Sequence, residues 1–177
     1  MIFTKLFLAS LALVPALALP TAQNEGEVFS FAKWIEGIIE NPDSDNLTPD
    51  EAVAAWTASL NGTSPSVLEK RAGCNNHVGC EATVPDAVWC INYLASLGRQ
   101  GRMCVADAVA DMCTYRSAVI MGAAGGGVSR TASNCNDVAR AGGFIMDRCT
   151  RADGMVQGWD MAYGNGHLAV TILSSDC

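Results

Sequence analysis

The segment Ser66–Asn75, SVLEKRAGCN, separates a part of the chain without cysteine from a part that contains all of it. No cysteine occurs in the first 73 residues, whereas eight follow between Cys74 and the terminal Cys177. The Lys70–Arg71 pair inside this segment is typical of sites that processing proteases of the secretory pathway cut. We therefore expect cleavage after Arg71, which would release residues 72–177 as a mature chain that carries every cysteine.

The first 18 residues have the pattern of a secretory signal peptide. Lys5 precedes the apolar run LFLASLALVPALA, which ends in small residues at Ala16 and Ala18. A charged start, an apolar core and an A-x-A-like cleavage site define such signals. The run is shorter than the roughly 20 apolar residues of a membrane anchor, and the alternative interpretation is an N-terminal core helix. We expect residues 1–18 to be removed and the protein to be secreted into the extracellular space.

Export accounts for the cysteines. Oxidising compartments allow disulfides to persist, and an even number of cysteines in a short secreted chain predicts a framework of bridges. The tight CxxC pairs from which thiolate zinc sites are usually built do not occur, and an even count leaves no thiol spare as a nucleophile. The predicted bridges involve Cys74, Cys80, Cys90, Cys104, Cys113, Cys135, Cys149 and Cys177.

Residues 19–71 form an acidic pro-segment between the signal and the cleavage site. They hold nine acidic residues against Lys33, Lys70 and Arg71, a balance of −6. The mature part holds nine acidic residues and seven arginines, a balance of −2, and no lysine. Neither a basic nucleic-acid footprint nor a polybasic lipid-binding run is present in it. We therefore expect no nucleic-acid partner.

The pro-segment predicts two helices. FSFAKWIEGIIE, residues 29–40, places its apolar residues at helical spacing, and LTPDEAVAAWTASL, residues 47–60, offers a Thr-Pro start with acids in the first turn. Glycosylation sequons begin at Asn46 and Asn61. Two interpretations remain open: the acidic amphipathic piece shields the mature domain until cleavage, or the pro-segment is a glycosylated solubility spacer.

The mature part predicts helices and strands in alternation. TVPDAVWCINYLASLG, residues 83–98, predicts a first helix that ends at Gly98, and SNCNDVARAGGFIMDRC, residues 133–149, a second. Between them, residues 113–126 predict a strand that runs into a glycine turn. Residues 154–177 predict a final hairpin around a Gly-Asn-Gly turn. The order helix, strand, helix, hairpin indicates an α+β fold with an antiparallel sheet.

Two adjacent glycines, Gly142 and Gly143, lie in the middle of the second predicted helix. Each costs about 1 kcal/mol relative to alanine there. They predict a close approach of a neighbouring backbone, or a kink.

Catalytic machinery is hard to assemble from the mature chain. His77 or His167 with Glu81 or Asp160 would supply the acid and base of a small secreted hydrolase or nuclease, although their spacing gives no support to that pairing. The sequence GGGVSR is not the elbow of a serine hydrolase, and it lacks the lysine of a P-loop. We expect no enzyme activity, no cofactor and no metal site, and a small hydrolase remains the least favoured alternative.

Binding residues are easier to identify, because rigid aromatic side chains and arginines are the usual anchors of recognition surfaces. Arg116 on the predicted strand is the first binding candidate, and Arg99 and Arg102 are further ones. The alternative is that the aromatic residues only cover the sheet and that the arginines are solvated. The large aromatic residues of the mature chain are Trp89, Tyr93, Tyr115, Phe144, Trp159 and Tyr163.

The mature cysteine pattern resembles that of the killer protein 4 toxins of smut fungi and their secreted homologues in filamentous fungi. The similar features are the opening GCNNHVGC, the CVADAVADMC pair, a cysteine-flanked second helix and the ending GNGHLAVTILSSDC, in the family's order. The resemblance covers Gly73–Cys177. It implies a small disulfide-rich α/β sandwich, in which an antiparallel sheet packs against two antiparallel helices.

The resemblance also implies a disulfide pattern. By analogy with the family, Cys113 pairs with Cys177, and Cys90 pairs with Cys135 to join the two helices. The remaining bridges then connect Cys74 and Cys80 with Cys104 and Cys149, in either order.

The function implied by the resemblance is that of a secreted, monomeric toxin-like effector or virulence protein. The prototype toxins block calcium channels and arrest susceptible cells, so the expected partner is a cell-surface target such as an ion channel or a host protein. The prototypes have one more bridge and an essential lysine just before the cysteine that matches Cys113, where Asp111 and Met112 stand here; Arg116 is the cation that could replace it. The second hypothesis is a secreted binding module for cell-wall polysaccharide or a host protein.

Overall fold

The structure, a computed structural model, describes residues 29–60, 73–74 and 77–177. The predicted signal peptide, the Lys70–Arg71 pair and the Asn61 sequon lie outside these residues. Within them, every helix is too short or too polar to span a lipid bilayer. The elements are the helices α1 Phe31–Glu40, α2 Pro49–Leu60, α3 Val84–Arg99 and α4 Cys135–Cys149, and the strands β1 Ala82–Thr83, β2 Met103–Asp107, β3 Val109–Tyr115, β4 Ala118–Ala124, β5 Arg130–Asn134, β6 Met155–Val156, β7 Gly158–Met161 and β8 Leu168–Ser174.

Four strands form the main sheet in the order β3-β4-β8-β7, and all neighbours are antiparallel. Leu168, Val170 and Ile172 of β8 are fully buried, because alternate residues of a strand point to the same face. The predicted final hairpin is therefore confirmed as β7 and β8. Strands β2 and β5 form a separate antiparallel pair, and so do β1 and β6.

Helices α3 and α4 cover one face of the sheet, α3 over β3 and β4 and α4 over β7 and β8. They run antiparallel, since Gly98 near the end of α3 lies against Asn136 near the start of α4, and Ile91 lies against Gly142 midway along both. A Cβ atom at either glycine would collide with the facing residue. The predicted α+β fold, with an antiparallel sheet packed against two antiparallel helices, is confirmed.

The residues predicted as one strand, 113–126, instead belong to a hairpin of β3 and β4. The two strands are joined at Arg116 and Ser117. This turn has no sequence signal, because arginine is not a residue that favours turns. Arg116 nevertheless adopts a φ of 49°, in the left-handed region that non-glycine residues rarely occupy.

The first predicted helix does not end at Gly98. Helix α3 continues to Arg99, and the residue with left-handed backbone is Gly101, at φ 75°. Gly98 lies inside the helix because only a residue without a side chain allows the close contact with α4.

Both helices predicted for residues 29–60 are confirmed as α1 and α2. They form a third layer, in which α1 packs against α4 and α3, and α2 packs against α3. Phe31 and Ile35 of α1 are fully buried, and they belong to the same hydrophobic core as the residues of α3 and α4. Residues 29–60, the described part of the predicted pro-segment, are thus packed onto the cysteine-containing part.

All eight cysteines form disulfides, and none is free. The two Cα atoms of each bridge are 5.0 to 5.7 Å apart, which is the usual separation for a disulfide. They are Cys74–Cys149, Cys80–Cys177, Cys90–Cys113 and Cys104–Cys135.

The predicted bridge between Cys113 and Cys177 is wrong. Cys113 lies on the edge strand β3 below α3, and its partner is Cys90 of that helix. Cys177 follows β8, whose last residue Ser174 donates its backbone N–H to the carbonyl of Cys80. The chain end is therefore next to the loop of Cys80, which is its partner.

The predicted bridge between Cys90 and Cys135 is wrong as well. Cys135 follows β5 directly, and β5 pairs with β2, which carries Cys104. Cys135 therefore bonds to Cys104 across this strand pair. Of the pairings left open for the remaining cysteines, the structure contains Cys74–Cys149.

Candidate functional site

Three of the predicted aromatic residues and Arg116 form one cluster, here called the aromatic–arginine cluster. The ring of Trp89 stacks on Tyr115 with centroids 4.1 Å apart and an interplanar angle of 14°. It also stacks on Tyr93 with centroids 5.5 Å apart. The guanidinium of Arg116 lies over the Tyr115 ring, 5.1 Å from its centroid. Trp89 and Tyr93 are 37% and 40% exposed, so the cluster is part of the surface.

Helical spacing and a strand end bring these side chains together. Trp89 and Tyr93 are four residues apart on α3 and therefore share a face of the helix. Tyr115 is the last residue of the edge strand β3. The bridge between Cys90 and Cys113 joins α3 to β3 next to both groups. The cluster is thus held in place before any partner arrives, which reduces the ordering cost of binding.

The turn that carries Arg116 is anchored by the buried carboxylate of Asp86. Ser117 donates to Asp86 from its backbone N–H at 3.1 Å and from its hydroxyl at 2.6 Å. Burial alone would raise the pKa of Asp86, but the hydrogen bonds from Ser117 and Thr83, together with the nearby charge of Arg116, outweigh burial and lower it. Asp86 therefore stays charged and fixes the turn against the start of α3.

The sequence gives little indication that Asp86 and Ser117 anchor the turn. An acid in the first turn of a helix is ordinarily explained by the helix dipole. Ser117 could not be assigned to a turn, because the turn itself is not visible in the sequence. The anchoring becomes apparent only when the hairpin and the helix are placed side by side.

Arg116 is exposed, and its charge is not neutralised by an ion pair with any described residue. An unpaired guanidinium beside exposed aromatic rings can bind a carboxylate or phosphate, while the rings pack against an apolar partner surface. The arginines that do form ion pairs are Arg130, Arg140, Arg148 and Arg151.

Arg99 is the last residue of α3 and Arg102 follows it, so both lie at the end of the helix that is away from Arg116. A helix of 16 residues spans about 24 Å, and Asp86 in its first turn holds the Arg116 hairpin at the opposite end. Arg99 borders a shallow depression of about 490 Å³, together with Ile39 of α1. The structure therefore does not combine the three candidate arginines into one site.

The remaining aromatic candidates lie around α4 and on β7, the opposite edge of the sheet from β3. Trp159 of β7 is 37% exposed. Arg140 lies over Tyr163 at 5.3 Å, and Arg148 over Phe144 at 5.8 Å. Both arginines also hold ion pairs with carboxylates, so their charges are satisfied within the protein.

The two histidines lie apart and are not paired with the predicted acids. His167 directly precedes β8, whereas His77 is in the loop next to the end of β8, and a strand of seven residues spans about 20 Å. Glu81 and Asp160 form ion pairs with arginines. Among the described residues, no hydrogen bond joins an imidazole ring to a carboxylate. No cluster of three or more potential metal ligands occurs among the same residues.

The described glycosylation sequon lies in the loop between α1 and α2. The side-chain nitrogen of Asn46, to which a glycan would be attached, donates to the carbonyl of Asn41 at 2.8 Å. The nitrogen is therefore turned toward the loop backbone in the unmodified chain.

Comparison with known proteins places the cysteine-containing part of the chain in a family. Residues 69–174 match the family described as a domain of unknown function (DUF8794). The match covers the sheet with α3 and α4, and helices α1 and α2 lie outside it. No curated protein and no solved structure gives a significant match. Since the matched range comprises more than half of the sequence, the chain belongs to the DUF8794 family.

Proposed function

We propose that this chain is the precursor of a secreted recognition protein, a killer-toxin-like effector that binds a component on the surface of another cell. The aromatic–arginine cluster is the contact surface. The observation that carries the proposal is the combination of stacked, part-exposed rings with an unpaired Arg116 on a disulfide-braced frame. Such rigid aromatic and arginine side chains supply most of the energy at protein interfaces.

Two features of the chain support secretion. The start of the sequence has the signal pattern, every cysteine is in a disulfide, and bridges of this kind persist in oxidising compartments. Among the described residues there is no cluster of potential metal ligands that would explain the cysteines instead.

The resemblance to killer protein 4 toxins suggests a cation channel, in particular a calcium channel, as the target. A cationic plug acts through a localised positive charge at a pore. In this chain Arg116 supplies such a charge, close to Cys113, in place of the lysine of the prototype toxins. The aromatic rings next to Arg116 would pack against the apolar rim of the same target.

A test measures growth inhibition and calcium uptake of susceptible cells exposed to the protein after cleavage at the dibasic pair. Arg116→Ala and Trp89→Ala are expected to weaken potency about tenfold each, the scale of one lost anchor. Arg130→Ala is the matched control, because Arg130 is exposed on the β2–β5 pair and touches no ring of the cluster. Unchanged potency of both cluster variants would refute the proposed contact surface.

The second candidate is a binding module for cell-wall polysaccharide. The exposed faces of Trp89 and Tyr93 favour it, because aromatic rings supply large, rigid contact area to a partner. Retention on insoluble chitin or glucan that Trp89→Ala abolishes, with no effect on growth or calcium uptake, would support this module over the toxin.

A further inference from the structure

Helix α4 presents three residues to α1 at positions i, i+3 and i+7, here called the docking stripe: Arg140, Gly143 and Asp147. Each meets a particular part of α1, in reverse order along the chain. Asp147 contacts the start of α1, Gly143 contacts the first turn, and Arg140 contacts Glu36 farther along. The two helices therefore run in opposite directions and meet at three points.

Asp147 caps the N-terminus of α1 from another helix. Its carboxylate accepts the hydroxyl of Ser30 at 2.6 Å and the backbone N–H of Phe31 at 2.6 Å. The backbone N–H of Ala32 donates to it at 3.2 Å. The first N–H groups of a helix have no partner inside the helix, and here the mature part of the chain supplies that partner.

Gly143 lets the two backbones touch. A Cβ atom at Gly143 would lie 2.8 Å from the Cα of Ala32 and 3.2 Å from the carbonyl oxygen of Phe31. A glycine inside a helix is unfavourable by itself, so its presence is explained by this close approach. Of the two interpretations of the glycine pair, a close approach or a kink, Gly143 fits the first, because it lies against the backbone of α1, whereas Gly142 lies against the Ile91 side chain of α3.

Arg140, at the other end of the docking stripe from Asp147, contacts Glu36 of α1. Its guanidinium donates to both carboxylate oxygens of Glu36, at 2.6 and 3.0 Å. Asp137 on α4 also accepts from Arg140, at 3.1 Å, and the Tyr163 ring lies beneath the guanidinium. A two-pronged pair of this kind fixes orientation as well as charge.

Apolar burial accompanies these polar contacts. Phe31 and Ile35 are 0% exposed, and Trp34 and Ile38 are 7% and 5% exposed. The indole N–H of Trp34 donates to the carbonyl of Leu47 at 2.9 Å, which ties the loop before α2 to α1. All of these contacts lie within the described residues and none uses the segment that contains Lys70–Arg71.

We propose that the docking stripe is a helix-binding site whose occupant is this chain's own α1, and that α1 and α2 stay bound after cleavage at the dibasic pair. Cutting a linker removes the high effective concentration of the two parts but leaves their contacts intact. The processed protein is then a non-covalent complex of two chains: the N-terminal helical peptide and the disulfide-bridged domain. This proposal rests on the precursor cleavage in the proposed function, but not on the role of the aromatic–arginine cluster.

The test uses the full secreted chain with the Lys70–Arg71 pair replaced by the recognition sequence of a site-specific protease. After complete cutting, native mass spectrometry and size-exclusion chromatography at neutral pH are expected to show one species that contains one copy of each fragment. Elution of the bridged domain without the peptide would overturn the proposal. A species with two copies of each fragment would also overturn it, since the helix would then be exchanged between molecules.

Matched variants test the stripe itself. Gly143→Ala is expected to weaken retention of the peptide about tenfold or more, whereas Phe144→Ala, at an exposed position of the same helix, leaves it unchanged. Glu36→Gln on α1 removes the charged pair with Arg140 and is expected to weaken retention, while Asp43→Asn, an equal change of charge on the exposed loop, does not. The Glu36 variant leaves the bridged domain unaltered, so a lack of effect of both Gly143→Ala and Glu36→Gln would refute the assigned contacts.

Discussion

Cys90 of α3 and Cys113 of β3 are bonded with their Cα atoms 5.7 Å apart, next to Trp89 on the helix and two residues before Tyr115 on the strand. The bridge therefore connects the two elements whose aromatic rings stack at 4.1 Å. We therefore expect the bridge to have a local role in the site as well as a role in stability.

Replacing both cysteines by alanine is expected to lower the free energy of unfolding by about 2–4 kcal/mol. It should also weaken the near-ultraviolet circular dichroism of the stacked rings, because α3 and β3 are no longer held together. The pair Cys80→Ala and Cys177→Ala is the control, since that bridge joins the N-terminal loop to the chain end. An aromatic signal equal in both double variants would contradict a local role for the Cys90–Cys113 bridge.

Asp86→Asn should make the protein less stable at neutral pH and change how stability depends on acid. The pKa of Asp86 is lowered from 3.8, so its contribution is present above about pH 3.8 and is lost as the pH falls through the lowered pKa. Losing the charged hydrogen bonds to Ser117 should cost about 1–3 kcal/mol at pH 7. Denaturant unfolding of both proteins between pH 7 and strong acid measures the difference.

The difference between wild type and Asp86→Asn is expected to shrink toward acid. Asp111→Asn, at an exposed position on β3, provides the control for a change in net charge. A constant difference across the whole pH range would show that the carboxylate of Asp86 is not what stabilises the turn.

Local periodicity made the helices predictable. Contacts between residues that are distant along the chain could not be predicted in this way. The apolar spacing of residues 29–40 and 133–149 identified α1 and α4, and alternation in 168–172 identified β8. The β3–β4 turn was missed because Arg116 has no turn preference. Eight cysteines allow 105 pairings, and the choice among them depends on which strand lies under which helix.

The same limit applies to the sites. The sequence named Trp89, Tyr93, Tyr115 and Arg116 as candidates, but their assembly needs the edge position of β3 beside α3. The adjacent glycines of α4 predicted a close approach without indicating what approaches. Asp147 caps a helix that begins 116 residues earlier in the chain, and no local pattern reveals such a contact.

Gly98→Ala is expected to destabilise the protein although alanine favours helices. The gain in helix propensity is about 1 kcal/mol, but the new Cβ would collide with the backbone and side chain of Asn136. Overpacking of this kind costs about 1–3 kcal/mol, and here the facing atoms include backbone that cannot rotate away. Thermal unfolding measures the net loss.

Gly101→Asn is the control for Gly98→Ala. Gly101 has a φ of 75° and open space around it, and asparagine tolerates this backbone conformation better than most residues. The Asn variant should therefore be close to wild type. A gain in stability from Gly98→Ala would contradict the close α3–α4 contact at Asn136.

Asp147→Asn is expected to show the opposite pH trend from Asp86→Asn. Burial raises the pKa of Asp147 above 3.8, while the hydrogen bonds from Ser30, Phe31 and Ala32 and the charge of Arg148 only partly oppose it. A raised pKa in the folded state means that the contribution of Asp147 is present at low pH and is lost as the pH rises through that pKa.

An uncharged asparagine avoids the cost of burying a charge at Asp147, so the stability of Asp147→Asn relative to wild type should increase as the pH rises. Denaturant unfolding of the full chain from about pH 3 to pH 7 measures the trend, with Asp86→Asn run in parallel. Because Asp147 contacts α1 and Asp86 contacts the β3–β4 turn, opposite slopes would locate the two effects in different parts of the fold. Slopes of the same sign would show that the burial of Asp147 under α1 does not control its protonation.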